Sequence, residues 1–213
     1  MYKLIVFDLD GTLLDTLDDL ADAVNAGLVS CGLQTRTREE VRAFVGNGVV
    51  RLMQLAVGDR QECLDGALAT FRKYYKAHCK DKTAPYEGIY DMLATLKNMP
   101  VKTAVLSNKI DEAVKELVQQ YFPDTFFTSQ GENEAVGIRK KPAPDALYEI
   151  MRQAGANGEE TLYVGDSEVD IQTANNAGVD CVSVTWGFKD KAFLLENGAT
   201  KIADMPKEIL KFV

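Results

Sequence analysis

Histidine and cysteine, which supply most zinc ligands in proteins, are scarce in this sequence. The chain has one histidine, His78, and four cysteines that form no C-x-x-C pair. These counts argue against a zinc site. Because His78 lies in a lysine-rich stretch and no G-x-S-x-G motif accompanies it, we predict an exposed helical histidine rather than the base of a Ser-His-Asp hydrolase.

Long apolar runs and basic stripes are also missing. No apolar run approaches the ~20 residues that cross a bilayer, and the net charge is −8. We therefore expect no nucleic acid and no membrane as a partner, and the sequence leaves the oligomeric state open. The short N-terminal apolar run lacks the features of an export signal, which favours a cytoplasmic protein with reduced thiols. A small anionic substrate is not excluded, because a metal and a few lysines can outweigh the global charge inside a site.

Four short apolar runs predict buried parallel strands. Segments with apolar residues at helical spacing separate the later runs, and this alternation is typical of a Rossmann-like, doubly wound α/β sheet. The predicted strands are residues 4–7, 103–106, 161–164 and 181–184. The predicted helical faces lie in residues 89–96, 110–121 and 147–154.

The region between the first two predicted strands has a helical pattern throughout. Apolar residues recur there at helical spacing, and Thr37 with Glu40 predicts a capping box at one helix start. We therefore predict a core formed by residues 1–15 and 83–213 and an inserted all-helical cap domain formed by residues 16–82. Ligands of open α/β sheets bind beyond the carboxyl ends of the strands, so an insertion leaving that rim would be placed to cover them.

The first predicted strand runs directly into the sequence D-L-D-G-T at residues 8–12. Phosphoryl transfer needs an in-line nucleophile, a proton donor for the leaving oxygen and groups that neutralise charge. Asp8 is a candidate nucleophile that would form an aspartyl-phosphate, and Asp10 is a candidate acid and base. Two aspartates in a loop can also be simple turn formers, but their place after a buried strand favours chemistry.

A second acidic group follows the third predicted strand at Asp166 and Asp170. Carboxylate oxygens suit Mg²⁺, which keeps several waters and takes few protein ligands. Asp8, Asp166 and one backbone carbonyl, such as that of Asp10, would form a site of this kind. Asp170 would hold a metal-bound water or pair with a lysine. The alternative is that Ser167 and Asp170 only cap and complement a helix start.

Two further segments carry groups suited to phosphate. Ser107, Asn108 and Lys109 follow the second predicted strand, where a hydroxyl and the N–H groups of the next helix would cradle an anion. Ser107 is also explained as an ordinary helix N-cap. Lys141 begins the sequence K-P-A-P, and the two prolines would fix its path so that it neutralises phosphate and nucleophile together.

These four segments, in this order, resemble the signature motifs of the haloacid dehalogenase superfamily, and within it the branch similar to phosphoglycolate phosphatases. The resemblance spans nearly the whole chain and implies a Rossmann-like core with a helical cap. It implies Asp8 as nucleophile, Asp10 as acid and base, and Mg²⁺ on Asp8, the Asp10 backbone and Asp166. Ser107 and Lys141 would hold the phosphate.

The same resemblance implies residues for substrate binding. Those of the core neighbour the catalytic groups, whereas those of the cap belong to a loop that would face the active site and select the substrate. The core residues are Gly11, Thr12, Asn108 and Lys109, and the cap residues are Gly46, Asn47, Gly48 and Arg51.

We therefore predict a Mg²⁺-dependent phosphatase that hydrolyses a small phosphorylated metabolite of the phosphoglycolate type. Asp10 argues against a dehalogenase, since the dehalogenases of this superfamily lack an acid at that position. A phosphomutase of the β-phosphoglucomutase type, a pyrophosphatase and a nucleotide 5′-phosphatase stay open as alternatives. A non-catalytic binding module is disfavoured because every acidic and basic position that the mechanism needs is filled.

Overall fold

The computed structural model describes residues 1–133 and 137–213. These residues form two compact units, one made of Met1–Leu14 and Pro85–Val213 and the other of Asp15–Ala84. The chain leaves the first unit through strand β2 (Leu14–Asp15) and returns through strand β3 (Ala84–Pro85), and these two short strands pair with each other.

In the first unit, strands and helices alternate along the chain, and the remaining elements of the second unit are helices. The other strands are β1 (Leu4–Phe7), β4 (Lys102–Ile110), β5 (Thr128–Glu132), β6 (Thr161–Gly165), β7 (Asp180–Val184) and β8 (Lys201–Ala203). The helices are α1 (Leu17–Ser30), α2 (Arg38–Phe44), α3 (Gly48–Val57), α4 (Leu64–His78), α5 (Ile89–Leu96), α6 (Asp111–Tyr121), α7 (Asp145–Ala154), α8 (Glu168–Ala177) and α9 (Lys191–Glu196). In residues 1–133 and 137–213, no helix combines the length and the apolar character needed to cross a membrane.

A six-stranded parallel sheet organises the first unit, with its strands in the order β5-β4-β1-β6-β7-β8. All four residues of β1 are buried, which is typical of a central parallel strand with both faces covered. Leu4 and Val6 share one core cluster with Leu147 of α7 and Ala174 of α8. The predicted fold class, a Rossmann-like doubly wound parallel sheet with an inserted helical segment, is confirmed.

Strand β4 differs from the prediction at its carboxyl end. It continues to Ile110, which pairs with Glu132 of β5 after a register shift that begins at Leu106. Helix α6 therefore begins only at Asp111, and Ser107 lies inside the strand. The prediction that Ser107 stands at a helix N-terminus is wrong, and Ile110, 42% exposed, does not belong to the buried face of α6. The extension depends on pairing with β5, which no local apolar pattern encodes.

Helices α1 and α4 pack against each other in the second unit. The predicted apolar stripe of α1 is buried at Leu20, Val24 and Leu28. On α4, the rings of Phe71 and Tyr75 stack with their centroids 5.5 Å apart. Each helix thus buries one face, as expected of amphipathic helices that share a small core.

Two polar motifs shape the ends of this helical unit. The predicted capping box is confirmed, since Thr37 Oγ1 accepts the Glu40 N–H and the Glu40 carboxylate accepts the Thr37 N–H. The buried carboxylate of Asp19 accepts the N–H groups of Lys82 and Thr83 and the Thr83 hydroxyl, at 2.8–3.1 Å. Asp19 therefore ties the start of α1 to the end of the same unit, and its buried charge is well compensated.

Candidate active site

Three neighbouring strands, β4, β1 and β6, bring Ser107, Asp8 and Asp166 to one rim of the sheet. Asp8 extends β1, because its N–H donates to the Val164 carbonyl of β6 at 2.8 Å. The carboxylate Oδ1 of Asp8 accepts the Leu9 N–H at 2.7 Å. The chain then turns tightly, since the N–H groups of residues 12, 13 and 14 all donate to the Leu9 carbonyl at 3.0–3.3 Å.

Gly11 allows this turn to lie directly against the strand-β6 side of the site. Its φ is +83°, a conformation that disfavours a side chain, and a Cβ there would lie 2.3 Å from Asp166 Oδ2. The Thr12 hydroxyl donates to Asp166 Oδ1 at 3.4 Å. The structure thus places Gly11 and Thr12 against Asp166, while their predicted part in substrate binding stays a prediction.

Lys141 lies between two of the acidic residues, Asp8 and Asp170. Its Nζ is 2.9 Å from Asp8 Oδ1 and 2.7 Å from Asp170 Oδ1, and its side chain is only 3% exposed. The motif prediction brought Lys141 to Asp8, and the structure adds Asp170 as a second partner. An ammonium group buried between two carboxylates neutralises charge at the nucleophile without help from solvent.

Two residues position Lys141 in ways that the sequence did not reveal. The side-chain amide of Asn108 donates to the Lys141 carbonyl at 3.0 Å and accepts the Lys141 N–H at 2.8 Å. The Tyr163 hydroxyl, buried inside β6, accepts from Lys141 Nζ at 3.1 Å and lies 3.2 Å from Asp170 Oδ1. Asn108 therefore holds the backbone of Lys141 and Tyr163 contacts its ammonium group. The sequence signal that could have indicated the Tyr163 contact was a tyrosine inside an apolar strand.

Asp170 is held at the start of α8 by Ser167. The Ser167 hydroxyl and N–H both donate to Asp170 Oδ2, at 2.6 and 3.1 Å. The capping interpretation and the lysine-pairing interpretation of Asp170 thus hold together, because each carboxylate oxygen has a different partner. Ser167 fixes Oδ2, which leaves Oδ1 directed at Lys141.

Asp10 and Lys109 form a second ion pair. Lys109 Nζ lies 2.8 and 3.0 Å from the two carboxylate oxygens of Asp10, and both side chains are largely buried. Ser107 Oγ accepts the Lys109 N–H at 3.2 Å. The structure therefore places Lys109 beside the candidate acid, and its predicted contact with substrate stays a prediction.

Three carboxylates form a cluster suited to a cation. Asp8, Asp166 and Asp170 are buried, and one oxygen of each lies within 4.8 Å of the others. Burial, with Asp170 adding to it and Lys141 opposing it, raises the pKa of Asp8 to about 7. Burial, with Asp170 and Asp8 adding to it, raises the pKa of Asp166 well above its usual range.

The charges of Lys141 and the cluster do not balance. Burial would lower the pKa of Lys141, but Asp170 and Asp8 raise it well above its usual range, so this lysine stays charged. One ammonium group faces three carboxylates. Oxygen ligands with uncompensated negative charge fit a hard divalent cation such as Mg²⁺, which would favour their ionised forms.

We expect the metal-free protein to lose stability as the pH rises from about 4 to 7. Asp8 ionises near 3.8 in the unfolded chain and near 7 in the folded one, so the unfolded state binds fewer protons over this interval and stability falls. The difference corresponds to roughly 4 kcal/mol. Urea denaturation in EDTA should therefore show Asp8→Asn more stable than the parent protein, by a margin that grows with pH and levels off above about pH 8.

Asp145→Asn is the matched control for this measurement. Asp145 is paired at the surface with Arg139, which lowers its pKa, so this variant should show a small effect of opposite sign. Saturating Mg²⁺ should shrink the advantage of Asp8→Asn because a cation favours the ionised carboxylate. A margin that does not change between pH 4 and 8 would contradict the assignment.

The four predicted specificity residues lie in the helical unit. Gly46 and Asn47 connect α2 to α3, and Gly48 begins α3, with φ of +130° at Gly46 and +79° at Gly48. Arg51 follows on the first turn of α3 and is exposed. The structure therefore groups them on one short connection, and their role in selecting the substrate stays a prediction.

The chain is similar to known proteins over most of its length. The sequence model of the haloacid dehalogenase-like hydrolase family matches residues 5–184 of this chain. Phosphoglycolate phosphatase of Pseudomonas syringae pv. syringae is 37% identical over 216 residues, which cover 97% of this chain and 78% of that protein. Phosphoglycolate phosphatase 1 of Pseudomonas aeruginosa is 34% identical over 215 residues, which cover 98% of this chain and 78% of that protein.

Solved structures share the fold. A protein of Lactobacillus delbrueckii subsp. bulgaricus, proposed to be a phosphoglycolate phosphatase, superposes with a TM-score of 0.92 at 37% identity, covering 99% of this chain and 98% of its own. A protein of Haemophilus somnus with the same proposed activity superposes with a TM-score of 0.91 at 28% identity, covering 99% and 97%. Both alignments include the helical unit as well as the sheet, since almost no part of either chain is left over.

Proposed function

Since the chain belongs to the haloacid dehalogenase-like hydrolases and is a phosphatase, we propose that it hydrolyses a small phosphate monoester of the phosphoglycolate type through an aspartyl-phosphate on Asp8. The family predicted from the motifs is confirmed by the family match, and the predicted phosphatase class is confirmed by that match together with the phosphatase relatives. The observation that carries the finer proposal is the buried contact of Lys141 with Asp8 beside Asp166 and Asp170. The substrate type is supported by the names of the relatives at 34–37% identity.

In the first step, a carboxylate oxygen of Asp8 attacks phosphorus in line with the leaving oxygen. The Asp8–phosphorus bond forms as the bond from phosphorus to the leaving oxygen breaks. Asp10 gives its proton to that oxygen, so that an alcohol rather than an alkoxide departs. Lys141 and Ser107 hold the phosphoryl oxygens. The two buried lysines of the site, Lys141 and Lys109, suit an anionic substrate even though the chain carries a net charge of −8.

In the second step, Asp10 takes a proton from water, and the water oxygen attacks phosphorus from the side that the alcohol has left. The bond between Asp8 and phosphorus breaks, which restores the Asp8 carboxylate and releases inorganic phosphate. The contact of Asp10 with Lys109 keeps the Asp10 side chain at a defined place between the two steps.

Asp8, Asp166 and the Asp10 backbone carbonyl would hold Mg²⁺, with Asp170 outside the direct ligands. The cation would supply positive charge to the phosphoryl oxygens and orient the phosphate. Phe188 N–H donates to Asp166 Oδ2 at 2.7 Å, so Asp166 is already oriented by the protein. No feature of the described residues favours a phosphomutase, a pyrophosphatase or a nucleotide 5′-phosphatase over this function.

The helical unit, Asp15–Ala84, is proposed to act as the cap that selects the substrate. Gly46, Asn47, Gly48 and Arg51 are its candidate contacts. The support is that glycines with positive φ shape the α2–α3 connection around Asn47, and that Arg51 is exposed close by on α3. An exposed guanidinium suits a second anionic group on the substrate.

We expect the purified protein to release phosphate from p-nitrophenyl phosphate and from 2-phosphoglycolate only when Mg²⁺ is present. EDTA should abolish the activity and excess Mg²⁺ should restore it, because only oxygen ligands are on offer. Ca²⁺ should inhibit, since its larger and looser coordination disturbs in-line geometry. Ranking about a hundred metabolite phosphates by kcat/KM would then identify the substrate. Restoration by Zn²⁺ with Mg²⁺ ineffective would contradict the assigned site.

A further inference from the structure

Residues 186–188, which follow β7, contact two parts of the candidate active site: the loop of residues 8–12 and the carboxylate of Asp166. The indole Nε1–H of Trp186 donates to the Thr12 carbonyl at 2.9 Å. Two residues later, the Phe188 N–H donates to Asp166 Oδ2 at 2.7 Å. One short segment therefore binds the loop that carries the two catalytic aspartates and a carboxylate proposed to hold the cation.

Gly187 makes this double contact sterically feasible. A Cβ at Gly187 would lie 2.2 Å from the Gly11 carbonyl oxygen and 2.4 Å from Asp166 Cβ. Real Cβ atoms do not approach carbonyl oxygens this closely, so the backbone at Gly187 packs directly against the loop. The Trp186 indole and the Gly187 backbone thus contact the loop, while the Phe188 N–H of the same segment holds Asp166.

The Thr12 carbonyl of that loop depends on Trp186 for a hydrogen bond. Thr12 is 1% exposed, so its carbonyl needs a donor from the protein. Within the turn, three N–H groups donate to the Leu9 carbonyl and the Gly11 N–H donates to the Leu14 carbonyl. Trp186 supplies a donor from outside the turn, at the end beyond Asp10. An indole N–H is a donor only, which matches it to a carbonyl.

We propose that Trp186 is a positioning residue for the loop of residues 8–12. By holding the Thr12 carbonyl, it fixes Asp10 relative to Asp8, and it touches neither substrate nor the reacting atoms itself. The inference rests on the proposed function, in which Asp8 attacks and Asp10 transfers the proton. Catalytic rates fall steeply with small displacements of such groups, by about 100-fold for a shift of about 1 Å.

Trp186→Phe removes the N–H donor and keeps an aromatic ring. We expect kcat for 2-phosphoglycolate to fall about 10- to 100-fold, with KM changed less than about 3-fold, because the loop loses its alignment but the phosphate keeps its ligands. Amide hydrogen exchange of residues 8–14 should quicken, while exchange in β7 stays unchanged. Tyr148→Phe is the matched control, since it removes one ring-borne donor to the Asn176 carbonyl on the surface and should change neither readout.

Because Trp186 is the sole tryptophan of the chain, an analogue fed to a tryptophan auxotroph replaces this residue alone. 4-Fluorotryptophan keeps the N–H group and should keep kcat within about 2-fold, whereas β-(benzothienyl)alanine, with sulfur in place of N–H, should reproduce the loss seen in Trp186→Phe. The benzothienyl protein conserves ring size and so decides the matter if the Phe variant does not fold.

Unchanged kcat and unchanged exchange in Trp186→Phe would overturn the proposal, and so would an equal loss with both analogues. A parent protein that hydrolyses no phosphate monoester would instead overturn the proposed function. In that event the exchange of residues 8–14, which needs no substrate, still decides whether Trp186 orders the loop.

Discussion

Replacing Asp8 with asparagine is expected to abolish turnover of every phosphate monoester, by at least about 10⁴-fold in kcat. A carboxamide is not a competent nucleophile, so no aspartyl-phosphate forms at this position. The loss should be equal for alkyl and aryl phosphates, because both need the same attack on phosphorus. Initial rates of phosphate release with saturating Mg²⁺ measure the effect.

The folded state of this variant can be checked independently of activity. The variant should be at least as stable as the parent protein in EDTA near pH 8, because it lacks the buried charge whose pKa is raised to about 7. An inactive protein that is also more stable excludes unfolding as the cause. Residual activity above about one per cent of the parent value would remove Asp8 from the role of nucleophile.

Asp10→Asn is expected to separate the two chemical steps. 2-Phosphoglycolate expels a strongly basic alkoxide, so its first step needs the proton from Asp10 and should be lost. p-Nitrophenyl phosphate expels a weakly basic phenolate and needs that proton far less. With the aryl substrate, the first step should survive and hydrolysis of the aspartyl-phosphate should slow, because the same residue activates water.

The expected signature is a rapid burst of nitrophenol, about one equivalent per active site, followed by slow turnover. Stopped-flow absorbance measures the burst, and acid quenching should trap the phosphorylated protein. Asp8→Asn is the matched control and should show no burst. Loss of the burst in Asp10→Asn as well would show that the pair of Asp10 with Lys109 is needed for the shape of the loop, and the acid and base assignment would be withdrawn.

The central strands could be predicted because their signal is local. All residues of β1 and β6 and the last three residues of β7 are buried, and most of these buried residues are apolar. Strands β5 and β8 were not predicted. The sequence T-S-Q-G-E of β5 has no apolar period, since an edge strand needs few buried side chains. Its place follows from hydrogen bonds to β4, a partner distant in sequence.

The candidate site also combines residues that the sequence predicted with contacts that it did not predict. Asp8, Asp166 and Lys141 were predicted from short motifs, and the meeting of Asp8 with Asp166 followed from the rule that neighbouring parallel strands end at one rim. The place of Lys141 beside the nucleophile was expected instead from the two prolines that follow it. The pairing of Lys109 with Asp10 and the hold of Asn108 on the Lys141 backbone were not predicted. These are side-chain contacts between segments that have no spacing relation in the chain.

The sequence by itself determined the α/β class, the helical insertion and the residue types of a phosphate-transferring site, because periodicity and short motifs are properties of neighbouring residues. The tertiary structure alone decided that β4 extends past Ser107, that Tyr163 contacts Lys141, and that Trp186 holds the Thr12 carbonyl. Those contacts join residues 22 to 174 positions apart. They exist only once the sheet is assembled, since packing and not local preference brings such residues within hydrogen-bond distance.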